Sequence, residues 1–541
     1  MLRWLFVGLV GCAASGATLR IEPAAIDLDV ELDSMAYVNV RVFAMTGSGA
    51  VDVTADSRLA LVDGARLGAV AGTRFTSDGR TGGHATIAAS FGDVSVDLPV
   101  HVRIHSMRRE DGVPLDAAGW FESATDVAVD ALLEPGDGAV LPPNLGRFDV
   151  DFAAADGDDL HEVGLTGPDL DVRVVARGAA GPRHVELTAA EWDAVSRTSV
   201  AGTAELAVRS LRSSAPTEAR VATARLAVAD LPFAGEVLFT GAVRQPIGEP
   251  PQLWSYDLKT ATTQRWAIGP GGTCIGCHVA MSRDGSRLAV GNVDLNGVIV
   301  NRATRYFMST PGPTVGVWNA ATFDPGGALV TAFTGTLTLR DGTTALPVKT
   351  LPTELPAAQP VISPDGRMLA HVAGPIDPVT TQPINQELSV HDWDAATGTL
   401  GPARVLVSAH GGDWVKLPDF SPDGRWIAYA RARGASLPAM GLSAIRSDGV
   451  GAPVELTADR DDCARFASPI VVARGAADPE PMTWIVMKSY RAVGARSQDL
   501  RAQLWAMAFY PDRRAAARAF HLPGQRPDVG VLHAPVPISA P

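Results

Sequence analysis

Only four cysteines occur in 541 residues, Lys and Arg form no clustered run, and beyond residue 17 no stretch approaches the roughly 20 apolar residues of a membrane span. The missing basic run, with a formal charge of -13, argues against a nucleic-acid surface, which needs clustered cations to neutralise phosphates. The acidic balance is read as solubility. Without a second apolar run, the body of the chain is expected to be water-soluble and to meet a membrane only through an anchor. Catalytic signatures are missing too: there is no Gly-x-Ser-x-Gly elbow, His-Glu-x-x-His, phosphate loop or Rossmann fingerprint. That leaves an electron-transfer or binding protein as the expectation ahead of an enzyme.

What is present points to β structure. With 54 Gly, 39 Pro and 46% hydrophobic residues, the chain can bury substantial cores while making many tight turns. Its length implies several domains. The opening MLRWLFVGLVGCAASGA reads as a targeting segment, residues 1–17, and not a fold element. Within it Leu9-Val10-Gly11-Cys12 resembles the bacterial lipobox, which implies lipidation at Cys12; cleavage near Ala17 to release a soluble protein stays open. Ala13 and Ala14 lack the Asp that marks inner-membrane retention, and that resemblance favours the outer membrane of a bacterial envelope.

From residue 18 to 105, short alternations separated by Gly, Asp and Ser turns predict strands. In VSVDLPVHVRI, Val94, Val96, Leu98, Val100, Val102 and Ile104 recur at period two. With LRIEPAAIDLDV and GGHATIAASFGDVSVDLPV, this region resembles bacterial immunoglobulin-like (Big) domains, implying a spacer or adhesive sandwich. Residues 106–130 read as a polar linker. Residues 131–230 predict a second small sandwich, in which LTAAEWDAVSRT forms a short helix: Thr188 and Glu191 have capping-box spacing and Trp192 faces the packing side. The acidic DGDDLHE, residues 156–162, lacks the ligand alternation of a calcium loop and is read as a solvated turn.

Residues 231–541 repeat. MSRDGSRLAV, TFDPGGALVTA, VISPDGRMLAHVA, DFSPDGRWIAYAR and a degenerate FASPIVVA are each accompanied by a second strand type, as in LWSYDLKT, LTLRDG, LSVHDWDAATG, LSAIRSDG and LWAMAFYPD. A period of about 40 to 60 residues with several strands per unit predicts a propeller. SPDGRMLA and SPDGRWIAYA resemble the TolB-like propeller repeat, and counting both strand types gives six blades, with GEVLFTGA and the VLHAPVPIS tail completing one blade together. The expected fold class is thus all-β: two N-terminal β-sandwiches followed by a six-bladed TolB-like β-propeller. Ser363 and Ser421 recur at equivalent turns and are read as structural. Trp254, Trp393, Trp426 and Trp505 recur at blade positions and are read as packing.

One motif in the propeller region suggests chemistry. Cys274-Ile275-Gly276-Cys277-His278 matches the c-type haem attachment pattern, in which two thiols reach the vinyl groups of one porphyrin edge and the adjacent imidazole becomes the proximal iron ligand. One covalent haem c at Cys274 and Cys277, with His278 on the iron, is the expected cofactor, and electron transfer or redox sensing with an envelope redox partner the expected function. His371, His391, His410 and Met308 are candidates for the second axial ligand. Alternatives stay open. A Cys274–Cys277 disulfide would make the propeller a non-enzymatic envelope binding or scaffold module, a zinc half-site would need two more ligands, and Cys463 is a free thiol or a partner to one motif cysteine.

Overall fold

The computed structural model describes residues 18–541 apart from 130–132, 234, 244–250, 267–274, 293–296, 304, 306–307, 309–317, 319, 378–383, 385, 410–412, 433–439, 458–460, 467–480, 492, 494–501, 527, 533–534 and 539–541; at 275–278, 292 and 461–466 it describes the backbone alone. Cys12, Cys274 and His410 therefore lie outside the described residues. The chain forms two units. The first comprises the residues through Arg108 with Leu165–Arg173 and Asp193–Thr198, and the second Arg109–Gly164, Val174–Trp192 and the chain from Ser199.

In the first unit the period-two pattern becomes the long strand Val94–Arg109, with Leu98, Val100, Val102 and Ile104 buried and the residues between them turned outward. Val94 and Val96 are only half-buried, since they stand at the open end of the strand. On one side it pairs antiparallel with Gly83–Phe91, and on the other parallel with Ile26–Glu31. Two three-stranded sheets complete the unit, burying Val42 and Phe75.

Residues 106–130 depart from the expected polar linker. The strand Val94–Arg109 runs into this segment, and Ala117–Ser123 is a helix whose Ala117 and Phe121 pack with Leu160, Val175, Leu211 and Ala219. The apolar residues of AAGWFES suffice for one buried helical face. Further on, the capping box forms: Thr188 N donates to Glu191 Oε2 at 2.7 Å, Glu191 N donates to Thr188 Oγ1 at 3.3 Å, and Trp192 stacks on Phe148 with centroids 4.8 Å apart. The acidic turn is less solvated than expected. Asp158 is buried against Arg220, and Asp159 accepts from both the N–H and the hydroxyl of Ser213, so these carboxylates fasten the hairpin Thr203–Val228 to the turn.

From Glu236 onward, six antiparallel sheets follow one another among the described residues. The first strands of successive sheets, Ile275–Met281, Ala320–Phe323, Ala357–Ile362, Trp414–Phe420 and Asp461–Phe466, pack each on the next. The C-terminal strand Val536–Ile538 touches both the first and the last of them, and the row closes on itself as in a β-propeller. Closure is made by chain ends: Glu236–Val243 pairs antiparallel with Val529–Val531 and with Val536–Ile538, as the leftover GEVLFTGA and VLHAPVPIS segments suggest.

The repeated turns share one wiring. Ser282, Ser363 and Ser421 each donate Oγ–H to the Asp two residues on, at 2.6 Å in every case, and accept at 2.9 Å from the N–H five residues on. Gly285, Gly366 and Gly424 follow with φ of 67°, 72° and 73°, left-handed values that favour glycine. Hydrogen bonds from Ser282 and Ser286 hold the Asp284 carboxyl down at about 2. A hydroxyl so engaged is a turn clamp and no nucleophile. Ser421→Ala leaves the buried Trp426 N–H without this partner and should cost about 1–3 kcal/mol in urea denaturation.

Candidate functional site on the inner strands

The haem-like motif falls on the innermost layer of the propeller. Cys277 and His278 belong to the strand Ile275–Met281, and Cys274 lies outside the described residues. The backbone is irregular there: Ile275 faces Asn292 and Val279 faces Val290, so the stretch between carries two residues more than its partner. A smaller bulge, of one extra residue, recurs at the corresponding place around the ring, between Ala358 and Val361, Lys416 and Asp419, and Asp462 and Arg465. Counted back from the turn serines, His278 corresponds to Gln359 and Leu417, and both of these have left-handed φ, 51° and 55°. Leu417 N donates to Gln359 Oε1 at 2.6 Å, tying one bulge to the next. The bulge is thus a property of the repeat, into which the motif has been fitted. Cys463 lies in the corresponding bulge of the last sheet, a correspondence the sequence carries in FASP, whose serine is also five residues on.

Immediately after His278, the inner strands enclose a cavity of about 210 Å³. Val279, Ala280 and Met281, Ala321 and Thr322, Pro360 and Val361, Asp419, and Val536 and Pro537 line it, so five inner strands contribute. Pockets that enclose a drug-sized ligand hold about 300–1,000 Å³, so a porphyrin does not fit inside. The donor set of the motif suits a covalent haem, and the group would have to sit outside this cavity.

Two of the four candidate axial ligands prove to be engaged elsewhere. His371 and His391 stand on adjacent strands, 2% and 4% exposed, with their Nε2 atoms 2.9 Å apart and their rings stacked at 5.1 Å. His391 Nδ1 lies 2.7 Å from Gly401 O, and His371 Nδ1 3.2 Å from Val372 O. The two Nε2 atoms share one proton, and each Nδ1 faces a carbonyl oxygen. Burial pushes the His371 imidazole down to about 4, so this ring is held neutral in the folded chain. Neither ring is free to bind iron without breaking this arrangement. Met308 is exposed at the surface. The blade tryptophans are buried as expected, and Arg526, Arg514 and Arg491 lie over the rings of Trp254, Trp426 and Trp505.

Two clusters of potential metal donors went unread in the sequence because strand pairing and, for Asp169, a turn between strands bring their members together. One is His84, His101 and Asp169 in the first unit, the other Asp149, His184 and Glu186 in the second. In the second, Arg147 is wedged between the carboxylates, with Nε 2.9 Å from Asp149 and Nη1 2.8 Å from Glu186, and supplies the positive charge itself. A larger groove of about 530 Å³, along Asp137, Thr203, Glu205, Thr223 and Arg225, contains no cluster of this kind. Among the described residues, no helix is long and apolar enough to cross a membrane.

No protein-family model matches the chain, and no curated protein does. Among solved structures, TolB from Acinetobacter baumannii is similar at 14% identity and a TM-score of 0.38, over 61% of this chain and 78% of that one. A structure assigned to TolB from Agrobacterium tumefaciens gives 18% identity and a TM-score of 0.33, over 56% and 98%. Kuenenia stuttgartiensis hydrazine synthase gives 13% and 0.31, over 50% and 89%.

Proposed function

We propose that this chain is an envelope protein, lipid-anchored at Cys12, whose six-bladed TolB-like propeller carries one haem c attached through Cys274 and Cys277, and that it works in electron transfer or redox sensing. The observation that supports this reading most is the position of the motif, which enters a bulged inner strand directly before the cavity-lining Val279. The haem, when bound, supplies a one-electron couple. The chain's own contribution is to hold the edge of that group against the propeller. His278 is the proximal ligand in this reading, carried on the bulged inner strand Ile275–Met281.

The recurrence of the bulge in sheets without the motif favours a second reading, in which Cys274 and Cys277 only pin a loop by a disulfide and the propeller is a binding module for an envelope partner. Mass spectrometry of the non-reduced peptide separates the two. One added haem, with Soret and α bands that survive acid–acetone extraction, is the expected result when the chain is made alongside a haem-attachment system. A colourless protein whose peptide has lost two hydrogens rejects the haem and leaves the binding module.

A further inference from the structure

We infer that His84, His101 and Asp169 form a binding site for a borderline divalent cation, Zn²⁺ foremost, on the sheet of the first unit. The site follows from strand register. His101 is directly opposite His84 across the antiparallel pair, and directly beside Asp27 across the parallel one, so Asp27, His101 and His84 make one row over three strands. Asp169 closes over the row: its Oδ1 is 2.8 Å from His101 Nε2 and 3.9 Å from His84 Nε2. The three donor atoms lie within 4.8 Å of one another. A tetrahedral Zn²⁺ holds its ligand atoms about 3.3 Å apart, so a small closing motion completes the set. His84 has to leave a stack to make it: its ring lies parallel to that of His101, with centroids 4.4 Å apart and planes 7° from parallel, and its 74% exposed side chain has solvent to turn into, while His101 and Asp169 are 24% and 18% exposed and held in place.

That holding is specific. Asp169 O accepts from Ile104 N at 3.0 Å, and its backbone lies so close to Gly82 that a Cβ there would meet Asp169 O at 2.1 Å. On the far side of the His101 ring, Nδ1 is 3.3 Å from Asp27 Oδ1. A carboxylate behind the imidazole orients it and raises its basicity toward a metal on Nε2, the usual support of a histidine ligand. Arg103, the nearest guanidinium of the same strand, is bonded to Asp29 at 2.8 Å, with Asp27 farther off at 3.6 Å. The contrast with the Arg147-filled cluster is geometric: Asp169 is met by the two imidazoles, with Arg103 adding its charge from nearby, whereas Asp149 and Glu186 are held directly by a guanidinium. Two imidazoles and one carboxylate suit Zn²⁺ and leave one coordination position for water.

The test is a Zn²⁺ titration of the chelator-treated full chain by calorimetry, repeated with Co²⁺ for its visible d–d bands. The parent should bind one equivalent more than H84A or H101A, and Asp27→Asn should weaken that equivalent by about 10–100-fold. Because His84 is exposed, H84A should melt as the metal-free parent does and separate loss of a ligand from loss of fold. Zinc held by the cysteine motif would remain in every variant. Equal stoichiometry and affinity in parent, H84A and H101A would overturn the site.

Discussion

A chain ending at Gln525 should lose cooperative folding of its propeller, although the deleted residues include none of the cysteine motif and, among the described residues, only two short strands. Val529–Val531 and Val536–Ile538 together cover one edge of Glu236–Val243, and that edge would otherwise present unpaired backbone at the axis of the ring. Val529 and Val531 are each 3% exposed, and burying such side chains is worth about 1.5–3 kcal/mol apiece. The segment also completes its neighbours. Gln503 Nε2 donates to Val529 O at 2.9 Å, Val531 N to Ala502 O at 2.9 Å, and Lys488 Nζ to Leu532 O at 2.9 Å, so the last sheet is fastened to the first through these residues. With both valines and three cross-sheet hydrogen bonds gone, the expected loss is about 5–10 kcal/mol, of the order of a domain's whole stability. Urea denaturation followed by tryptophan fluorescence should show the main transition of the parent broadened or absent in the shortened chain. A transition of unchanged midpoint and slope would mean that the ring does not depend on closure by the chain ends.

What could be read from the sequence here was local or periodic. The Ser-x-Asp-Gly turns were legible because clamp, acceptor and left-handed glycine lie within six residues, and their repetition exposed the blades. The ring closure was legible by subtraction: GEVLFTGA lacked a partner of its own kind, and so did the tail. Interactions set by register were not legible. Nothing in GGHATIAASF or VSVDLPVHVRI says that His84 will stand opposite His101, because that depends on the pairing of the whole hairpin; Asp27 and Asp169 arrive from still farther along the chain. His371 and His391 looked like spare ligands for the same reason, since twenty residues separate them in sequence and one hydrogen bond in the fold. The helix Ala117–Ser123 was hidden because its apolar residues are few and it is stabilised by a core built from distant strands. Of the motif itself, the sequence supplied the chemistry, and the fold added the inner-strand bulge shared with Gln359 and Leu417.

Between pH 6.5 and 4.5 the stability contributions of two buried groups should oppose each other, and removing either should expose the other. Burial holds His371 down at about 4, against an ordinary histidine value of 6.5. In that interval the unfolded chain takes up a proton that the native one refuses, so stability falls as pH falls, by about 2 kcal/mol from pH 6.5 to 4.5. Glu134 does the reverse. Burial raises its carboxyl from 4.5 to about 7, only partly countered by the N–H of His521 and the charge of Arg518. The native chain there keeps a proton that the unfolded chain has released, so stability falls as pH rises, again by about 2 kcal/mol over the same interval. The two slopes cancel in the parent. In Glu134→Gln the histidine slope stands alone, and the variant should be less stable at pH 4.5 than at 6.5 by about 2 kcal/mol relative to the parent's own difference. His371→Gln, whose amide can still meet His391, should show the opposite sign and be relatively more stable at pH 4.5. Because every other carboxylate and histidine is common to the three proteins, comparing differences between the two pH values removes their contribution. Parallel stability curves for all three proteins would mean that neither group changes its protonation on unfolding in this range.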